Sequence, residues 1–90
     1  MIVKQTGRFK RSINKLHKTE KLALDSAVQK IIDNPSIGEL KVGDLAGVQV
    51  FKYKHKSLLY LLAYVFIEGE LVLTFLEHGS HENFYRDLKR

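Results

Sequence analysis

The longest apolar run in the chain is Leu58-Leu59-Tyr60-Leu61-Leu62-Ala63-Tyr64-Val65-Phe66-Ile67. Both alternating sides of this run are apolar, which is typical of a strand that is covered on both faces of its sheet. A helix that crosses a membrane needs roughly 20 apolar residues, so the run does not predict a membrane span. It predicts the central strand of a sheet, with helices on one face and a terminal helix or a partner protein on the other.

The segments around this run predict an antiparallel sheet. Residues 48–55, 57–67 and 70–77 are rich in β-branched and aromatic side chains, which predicts three consecutive strands. Between the last two strands, Glu68-Gly69 predicts a tight hairpin turn in which the glycine supplies the positive φ angle.

The N-terminal half predicts a short strand at residues 2–5, followed by two helices. Pro35 stops the second helix, and Ser80 is a favourable N-cap for a short C-terminal helix. These elements predict an α+β fold, in which a short N-terminal strand and a helical hairpin pack on an antiparallel sheet, as a single domain over residues 1–90. The apolar residues at helical spacing fall in two sets, Phe9, Ile13 and Leu16, and then Leu24, Ala27, Val28, Ile31 and Ile32.

The composition limits the classes of protein that the chain fits. Ninety residues with 44% apolar content can form one core and leave no room for a second domain. No cysteine is present, so neither a disulfide framework nor a thiolate metal site is available. Without a signal-peptide pattern at the N-terminus, the expected location is the cytoplasm. The net charge of +5 favours encounter with polyanions.

Residues 79–90 predict a terminal helix with an anchoring face and a chemical face. Phe84 and Leu88 are four apart and form an apolar stripe, whereas His81 and Tyr85, also four apart, lie on the neighbouring stripe. Side chains at this spacing are about 5–6 Å from one another. We therefore expect His81 and Tyr85 to be available for chemistry.

Positive charge is concentrated in two segments. Lys52, Lys54 and Lys56 alternate with aromatic residues, and period-two alternation puts these three lysines on one face of a strand. His55 falls on the opposite face, where a packed or rim histidine is a better interpretation than a base. Each segment is consistent both with a solvated surface and with contact to RNA phosphates. The second segment contains Lys4, Arg8, Lys10, Arg11, Lys15 and Lys18.

Three segments of the chain match a known family in the same order. They are Leu45-Ala46-Gly47-Val48-Gln49-Val50-Phe51-Lys52-Tyr53-Lys54, the strand ending Tyr60-Leu61-Leu62-Ala63-Tyr64, and the closing pattern Gly79-x-His81-x-x-x-Tyr85. With the length, the basic charge and the order of elements, they resemble the RelE/ParE superfamily of small bacterial toxins from type II toxin–antitoxin systems. The resemblance covers essentially the whole chain. It implies a RelE-like fold and a cognate antitoxin protein that forms a hetero-oligomeric complex with the toxin.

The resemblance also implies site residues. The RelE-like and YafQ-like branch of the superfamily cleaves messenger RNA in the ribosomal decoding site. By resemblance, Lys52, Lys54, His81 and Tyr85 are the catalytic candidates, and His55 is a further candidate. The candidates for contact with RNA and the ribosome are Arg8, Lys10, Arg11, Lys15, Lys56 and Arg86.

Two positions depart from the pattern of this branch. Leu61 stands where RelE-type toxins have an arginine, and Leu59 stands where YafQ-type toxins have an aspartate. Neither catalytic set is therefore complete in this chain.

The candidate residues suit cleavage of RNA without a metal or cofactor. The reaction removes a proton from a ribose 2′-hydroxyl, stabilises negative charge on the phosphorane and protonates the leaving 5′-oxygen. Histidine exchanges a proton near pH 7, lysine supplies fixed positive charge, and tyrosine stacks on a base. His78 and His81 beside Glu77 form only a weak metal pattern, because no cysteine or further paired histidine completes a tetrahedron.

Three functions are consistent with the sequence. The first is a ribosome-dependent endoribonuclease that cleaves mRNA and inhibits translation. The second is a ParE-like inhibitor of DNA gyrase without nuclease activity, which the incomplete catalytic set favours and the pair of His81 and Tyr85 disfavours. The third is an inert member that only binds a partner and assists that partner in binding DNA, although no base-reading element supports it.

Overall fold

The computed structural model describes residues 1–81, 84 and 85. Five strands and two helices make up most of this part of the chain, and two short 3₁₀ turns, Pro35–Ile37 and Gly43–Leu45, lie in the connection after the second helix. The elements are β1 (Ile2–Gln5), α1 (Gly7–Asn14), α2 (Lys18–Asp33), β2 (Glu39–Leu40), β3 (Gln49–His55), β4 (Leu58–Ile67) and β5 (Val72–Ser80).

The five strands form one sheet in the order β1-β5-β4-β3-β2. The apolar run is the third strand of the five, so the prediction of a central strand is confirmed. β2, β3, β4 and β5 are antiparallel neighbours. The predicted α+β fold, with an N-terminal strand and a helical hairpin packed on the sheet, is also confirmed.

Both faces of β4 are buried, as its apolar alternation predicts. Leu62 and Tyr64 join the core beneath the two helices. Leu61 and Ala63 belong to a second buried cluster on the other face, where Phe84 packs. We call this second surface the open face, because neither helix covers it. The core on the helix side consists of Phe9, Leu24, Ala27, Ile31, Leu62, Tyr64, Leu73 and Phe75.

Side-chain caps fix where the helices begin. The Thr6 hydroxyl accepts a hydrogen bond from the Phe9 N–H at 3.1 Å and donates one to the Leu76 carbonyl at 2.8 Å. It therefore starts α1 and ties it to β5. The Glu20 carboxylate accepts from the His17 N–H at 3.0 Å, which satisfies a free donor at the start of α2. None of the helices in the described residues is long and apolar enough to span a membrane.

The sheet is mixed, which corrects the prediction of a purely antiparallel one. β1 runs parallel to β5, with Ile2 opposite Val72 and Gln5 opposite Phe75. Parallel neighbours need a long connection, and here two helices and three strands intervene. β2 was not predicted, because a strand of two residues in a glycine-rich loop has no periodicity to detect.

Two local predictions at the ends of β5 are wrong. The loop before β5 is longer than the tight turn predicted at Glu68-Gly69: Ile67 pairs with Val72, and the residue with positive φ is Leu71, at 55°. β5 continues to Ser80, which pairs with Tyr60 instead of capping a helix. Strand pairing to β4 supplies the hydrogen bonds that extend β5 beyond its predicted end.

The hairpin between β3 and β4 turns through two strained residues. Lys56 and Ser57 have φ angles of 50° and 69°, the type I′ geometry that favours Asn-Gly. We expect Ser57→Gly to raise the free energy of unfolding by about 0.5–1 kcal/mol, because glycine adopts positive φ without the Cβ clash. Urea unfolding measures this, with Ser57→Ala as the matched control. A gain no larger than that of Ser57→Ala would contradict the turn assignment.

Candidate functional site

The candidate site lies on the open face, where the ends of β3 and β5 flank the start of β4. Lys54 is opposite Leu59, and the His81 N–H donates to the Leu59 carbonyl at 3.0 Å. The three residues therefore form one row across adjacent strands. Strands are about 4.8 Å apart, so the backbones of Lys54 and His81 are separated by roughly 10 Å, close enough for their side chains to contact one phosphate.

Lys52 lies one step along the same face. It pairs with Leu61, which in turn pairs with Gly79. Lys52, Lys54 and His81 are exposed, whereas Leu61 is fully buried. The arrangement is a set of exposed basic side chains around an apolar floor. Such a surface can hold a phosphodiester beside fixed positive charge and an imidazole.

Phe84 is anchored on the open face. Its ring is only 2% exposed and packs with Val50, Leu61 and Ala63. A Cβ atom added at Gly79 would lie 3.6 Å from the Phe84 ring, which is ordinary van der Waals contact. The predicted anchoring role of Phe84 is therefore seen in the structure. The second predicted anchor, Leu88, lies outside the described residues.

Tyr85 contacts a residue that sequence reasoning missed. Its ring packs edge-to-face on Phe84, with centroids 5.3 Å apart, and the Lys41 Nζ lies 5.3 Å from its centroid. A hydrogen bond with the Tyr85 hydroxyl raises the pKa of Lys41, and Glu39, 3.3 Å away, adds to this effect. No sequence signal indicated Lys41, because it joins the C-terminal segment only through the fold.

His81 and Tyr85, which were predicted to lie one turn apart on a helix, have different backbone conformations. His81 adopts a turn at the exit of β5, while Tyr85 has helical backbone. Tyr85 reaches Lys41, whose N–H donates to the Val48 carbonyl beside β2. The structure thus places His81 across Leu59 from Lys54, and Tyr85 at the β2 side of the open face.

His55 and Lys56 do not join the row. His55 shares the helix-facing side of β3, as alternation predicts, and its Nε2 atom is buried without a hydrogen-bond partner among the described residues. Lys56 was predicted to share a face with Lys52 and Lys54, and this is wrong. β3 ends at His55, and the turn carries Lys56 to a cavity on the helix side.

The cations of the first helix lie on the opposite side of the sheet from the row. Lys10, Arg11 and Lys15 are exposed there. Arg8 has a structural contact, because its Nε is 3.6 Å from the Glu77 carboxylate. Arg86 lies outside the described residues.

Glu77 and His78 are bound into the helix side of the sheet. The Glu77 carboxylate accepts from the Ser12 hydroxyl at 2.5 Å, and His78 Nε2 lies 2.6 Å from the Tyr53 hydroxyl. Among the residues that the structure describes, no group of three or more His, Cys, Asp or Glu side chains could hold a metal ion.

His78 makes the fold sensitive to acid. Burial lowers its pKa from 6.5 to about 4 and raises the pKa of Tyr53. At neutral pH, Tyr53 therefore keeps its proton and His78 is neutral, so the two share one hydrogen bond between the hydroxyl and Nε2. The imidazole is also stacked on Tyr60, with ring centroids 5.4 Å apart.

The low pKa of His78 predicts a loss of stability on acidification. Between pH 6.5 and 4, His78 is protonated in the unfolded state and neutral in the folded state. Its contribution to the free energy of unfolding is therefore fully present above pH 6.5 and decreases as the pH falls. From pH 7 to pH 5 we expect a loss of roughly 2 kcal/mol from this residue. Urea unfolding at both pH values measures it. His78→Phe should flatten the dependence, and equal losses in both proteins would contradict the assignment.

Comparison with known proteins identifies the family. The model of the ParE-like toxin of type II bacterial toxin–antitoxin systems matches residues 3–89. Among curated proteins, none matches the chain.

Solved structures of E. coli RelE have a similar fold. The intact E. coli RelBE toxin–antitoxin complex contains a chain with a TM-score of 0.73 and 20% identity, covering 90% of this chain and 96% of that one. The isolated E. coli RelE toxin has a TM-score of 0.71 and 22% sequence identity, and the match covers 90% of this chain and 84% of that one. An E. coli RelE mutant in the free state has a TM-score of 0.74 and 18% sequence identity, and the match covers 97% of this chain and 87% of that one. Because the family model spans nearly the whole sequence, this chain belongs to the ParE-like toxin family of type II bacterial toxin–antitoxin systems.

Proposed function

We propose that this toxin is a ribosome-dependent endoribonuclease that cleaves mRNA and so inhibits translation. The row formed by Lys54, Leu59 and His81 is the observation that carries the proposal. It gathers fixed positive charge and an exposed imidazole on one face, within reach of a single phosphodiester. The similarity of the fold to E. coli RelE supports this interpretation.

In the proposed reaction, each side chain has a separate role. Lys52 and Lys54 stabilise the negative charge that develops on the phosphorane. His81 exchanges a proton with the attacking 2′-hydroxyl or the leaving 5′-oxygen, a contribution of about 10²–10⁴ in rate. Tyr85, held by Lys41, offers its ring to a base at the other end of the open face. No metal or cofactor is needed for these steps.

The ribosome supplies what the small open surface lacks. The row is exposed, so it cannot enclose an RNA strand or fix its orientation by itself. Holding the mRNA in an attack geometry lowers the barrier by converting a bimolecular step into an intramolecular one. Cleavage of free RNA should therefore be weak. The proposed site of action is the cytoplasm, and the activity is assigned to one domain over residues 1–90.

A cognate antitoxin is the second proposed partner. The RelBE structure is a toxin–antitoxin complex, and a RelE mutant has also been solved with a peptide of its antitoxin. We propose that an antitoxin covers the open face and the exposed apolar residues beside it, Leu40 and Val42, which are 64% and 85% exposed. This contact would bury apolar surface and neutralise the catalytic lysines in a hetero-oligomeric complex.

Ribosome binding tests the role of the lysines. The double variant Lys52→Ala with Lys54→Ala should bind ribosomes more weakly, and the salt dependence of binding should become shallower by roughly one unit of slope per lysine, because fewer counterions are released. Sedimentation with ribosomes at several salt concentrations measures this. Lys21→Ala with Lys30→Ala, on exposed positions of α2, is the charge-matched control. Binding equal to the parent at every salt concentration would contradict the assignment.

A second candidate function is inhibition of DNA gyrase without nuclease activity. It is favoured by two apolar residues of the open face, Leu59 beside Lys54 and Leu61 beside Lys52. Such a surface also suits docking on a protein. Under this alternative, growth arrest would persist in His81→Ala and would be accompanied by DNA damage.

A further inference from the structure

A second site lies on the helix side of the sheet, between the tip of the β3–β4 hairpin and the start of α2. Its cavity volume is about 290 Å³, just below the usual range for small-molecule pockets. It is separate from the row on the open face, although His55, which follows Lys54, borders it. Most of its lining is polar or titratable and includes His17, Thr19, Glu20, His55, Lys56 and Tyr60.

Glu20 is held in a fixed orientation at this cavity. One carboxylate oxygen accepts from the His17 N–H at 3.0 Å, and the other accepts from the Tyr60 hydroxyl at 3.1 Å. These two hydrogen bonds lower the pKa of Glu20, the His17 N–H contributing most. An ionised carboxylate only accepts, and each of its oxygens has two lone pairs. Both oxygens can therefore take one more donor from a ligand.

A pair of adjacent acceptors selects the base that has a pair of adjacent donors. On guanine, N1–H and N2–H₂ lie side by side on one edge. Adenine and cytosine place a ring acceptor beside their amino group, and uracil places its single N–H between two carbonyl oxygens. A carboxylate repels those acceptors. Unpaired polar groups in a site disfavour the wrong ligand strongly.

The other polar groups of the cavity complement the rest of a guanine nucleotide. The ring of His55 lines the cavity, while its Nε2 atom is buried without a hydrogen-bond partner among the described residues. Lys56 is exposed at the rim, where its ammonium can meet a phosphate. The cavity thus presents an acceptor pair and a cation to one ligand, beside the ring of His55.

We propose that this cavity binds the guanine base of a nucleotide, with Glu20 accepting from N1–H and N2–H₂, the ring of His55 lining the base site, and Lys56 facing the phosphate. The nucleotide is either free or part of an RNA strand, and the base chemistry is the same in both cases. The site does not depend on the nuclease proposal.

Nucleotide binding to the full chain tests the site. Ligand-detected NMR titrations with GMP, AMP, CMP and UMP should show that GMP binds at least about tenfold more tightly than the others. The Glu20→Gln substitution should lower the affinity for GMP by about tenfold or more. Glutamine keeps an acceptor for the start of α2, so the variant should remain folded by circular dichroism. Glu70→Gln, on an exposed turn residue, is the matched control and should bind like the parent.

Two RNA pentamers decide the source of the base. These are measured in the His81→Ala variant, so that binding is followed without cleavage of the RNA. If an RNA strand is the ligand, UUGUU should bind through Glu20 more tightly than UUAUU. Glu20-dependent binding of GMP alone would identify a free nucleotide. Equal binding of all four nucleotides, GMP binding unchanged in Glu20→Gln, or no GMP binding at millimolar concentration would overturn the proposal, whether or not the toxin cleaves mRNA.

Discussion

Replacing His81 with alanine is expected to reduce cleavage of ribosome-bound mRNA by about 100-fold or more, because proton transfer by a positioned side chain contributes about 10²–10⁴ in rate. His81 lies exposed at the exit of β5, and its N–H donates to the Leu59 carbonyl. The side chain can therefore be removed without loss of packing. Single-turnover cleavage on purified, programmed ribosomes measures the effect.

The neighbouring residue provides the control. Ser80 is also exposed but pairs with Tyr60, on the opposite side of the alternation, so Ser80→Ala should cleave like the parent. Both variants should bind ribosomes and unfold as the parent does. Cleavage retained in His81→Ala would remove His81 from the chemistry, whereas equal losses in both variants would indicate a structural effect at the end of β5.

Replacing Gly38 with alanine is expected to lower the free energy of unfolding by about 3 kcal/mol or more, since overpacking and lost buried hydrogen bonds add together. A Cβ atom at this position would lie 2.6 Å from the Tyr64 hydroxyl oxygen. That hydroxyl accepts from the Gly38 N–H at 2.8 Å and donates to the Pro35 carbonyl at 2.6 Å. Tyr64 is fully buried, so its ring has little room to move.

Gly69→Ala is the matched control for this effect. An added Cβ at Gly69 meets no atom within 4 Å, and Gly69 lacks the positive φ that would strain alanine. We expect a change of less than about 0.5 kcal/mol there, as for most surface substitutions. In the double variant Gly38→Ala with Tyr64→Phe, stability should recover only in part, because the ring carbons remain 2.9 and 3.0 Å from the new Cβ. Equal stability of Gly38→Ala and Gly69→Ala in urea would contradict the packing described.

The fold could be predicted where periodicity was strong. The run from Leu58 to Ile67 is apolar on both alternating sides, and it is buried on both faces of the sheet. The apolar residues at helical spacing in the first two helices likewise include buried ones, such as Phe9 in the first set and Leu24 in the second. β2 could not be predicted, because a strand of two residues is too short to show an alternating pattern. The direction of β1 could not be predicted either, because it depends on pairing with β5, which no local pattern encodes.

The candidate site was predictable only in part. Alternation correctly set Lys52 and Lys54 opposite Tyr53, which is half-buried on the helix side. Alternation gave the wrong face for Lys56, because β3 ends at His55 and Lys56 belongs to the turn that follows. Lys41 could not be found from the sequence, since its contact with Tyr85 joins a loop to the C-terminal segment. The catalytic roles themselves stay predictions.

Mapping of new 5′ ends on cellular mRNA tests the proposed function most directly. The chain is induced alone in a bacterial host, beside His81→Ala, and ends are compared between translated and untranslated regions. We expect new ends at in-frame positions of translated mRNA, and their loss in the His81→Ala strain. Growth arrest with intact messages and induced DNA damage would contradict the nuclease proposal and favour inhibition of gyrase.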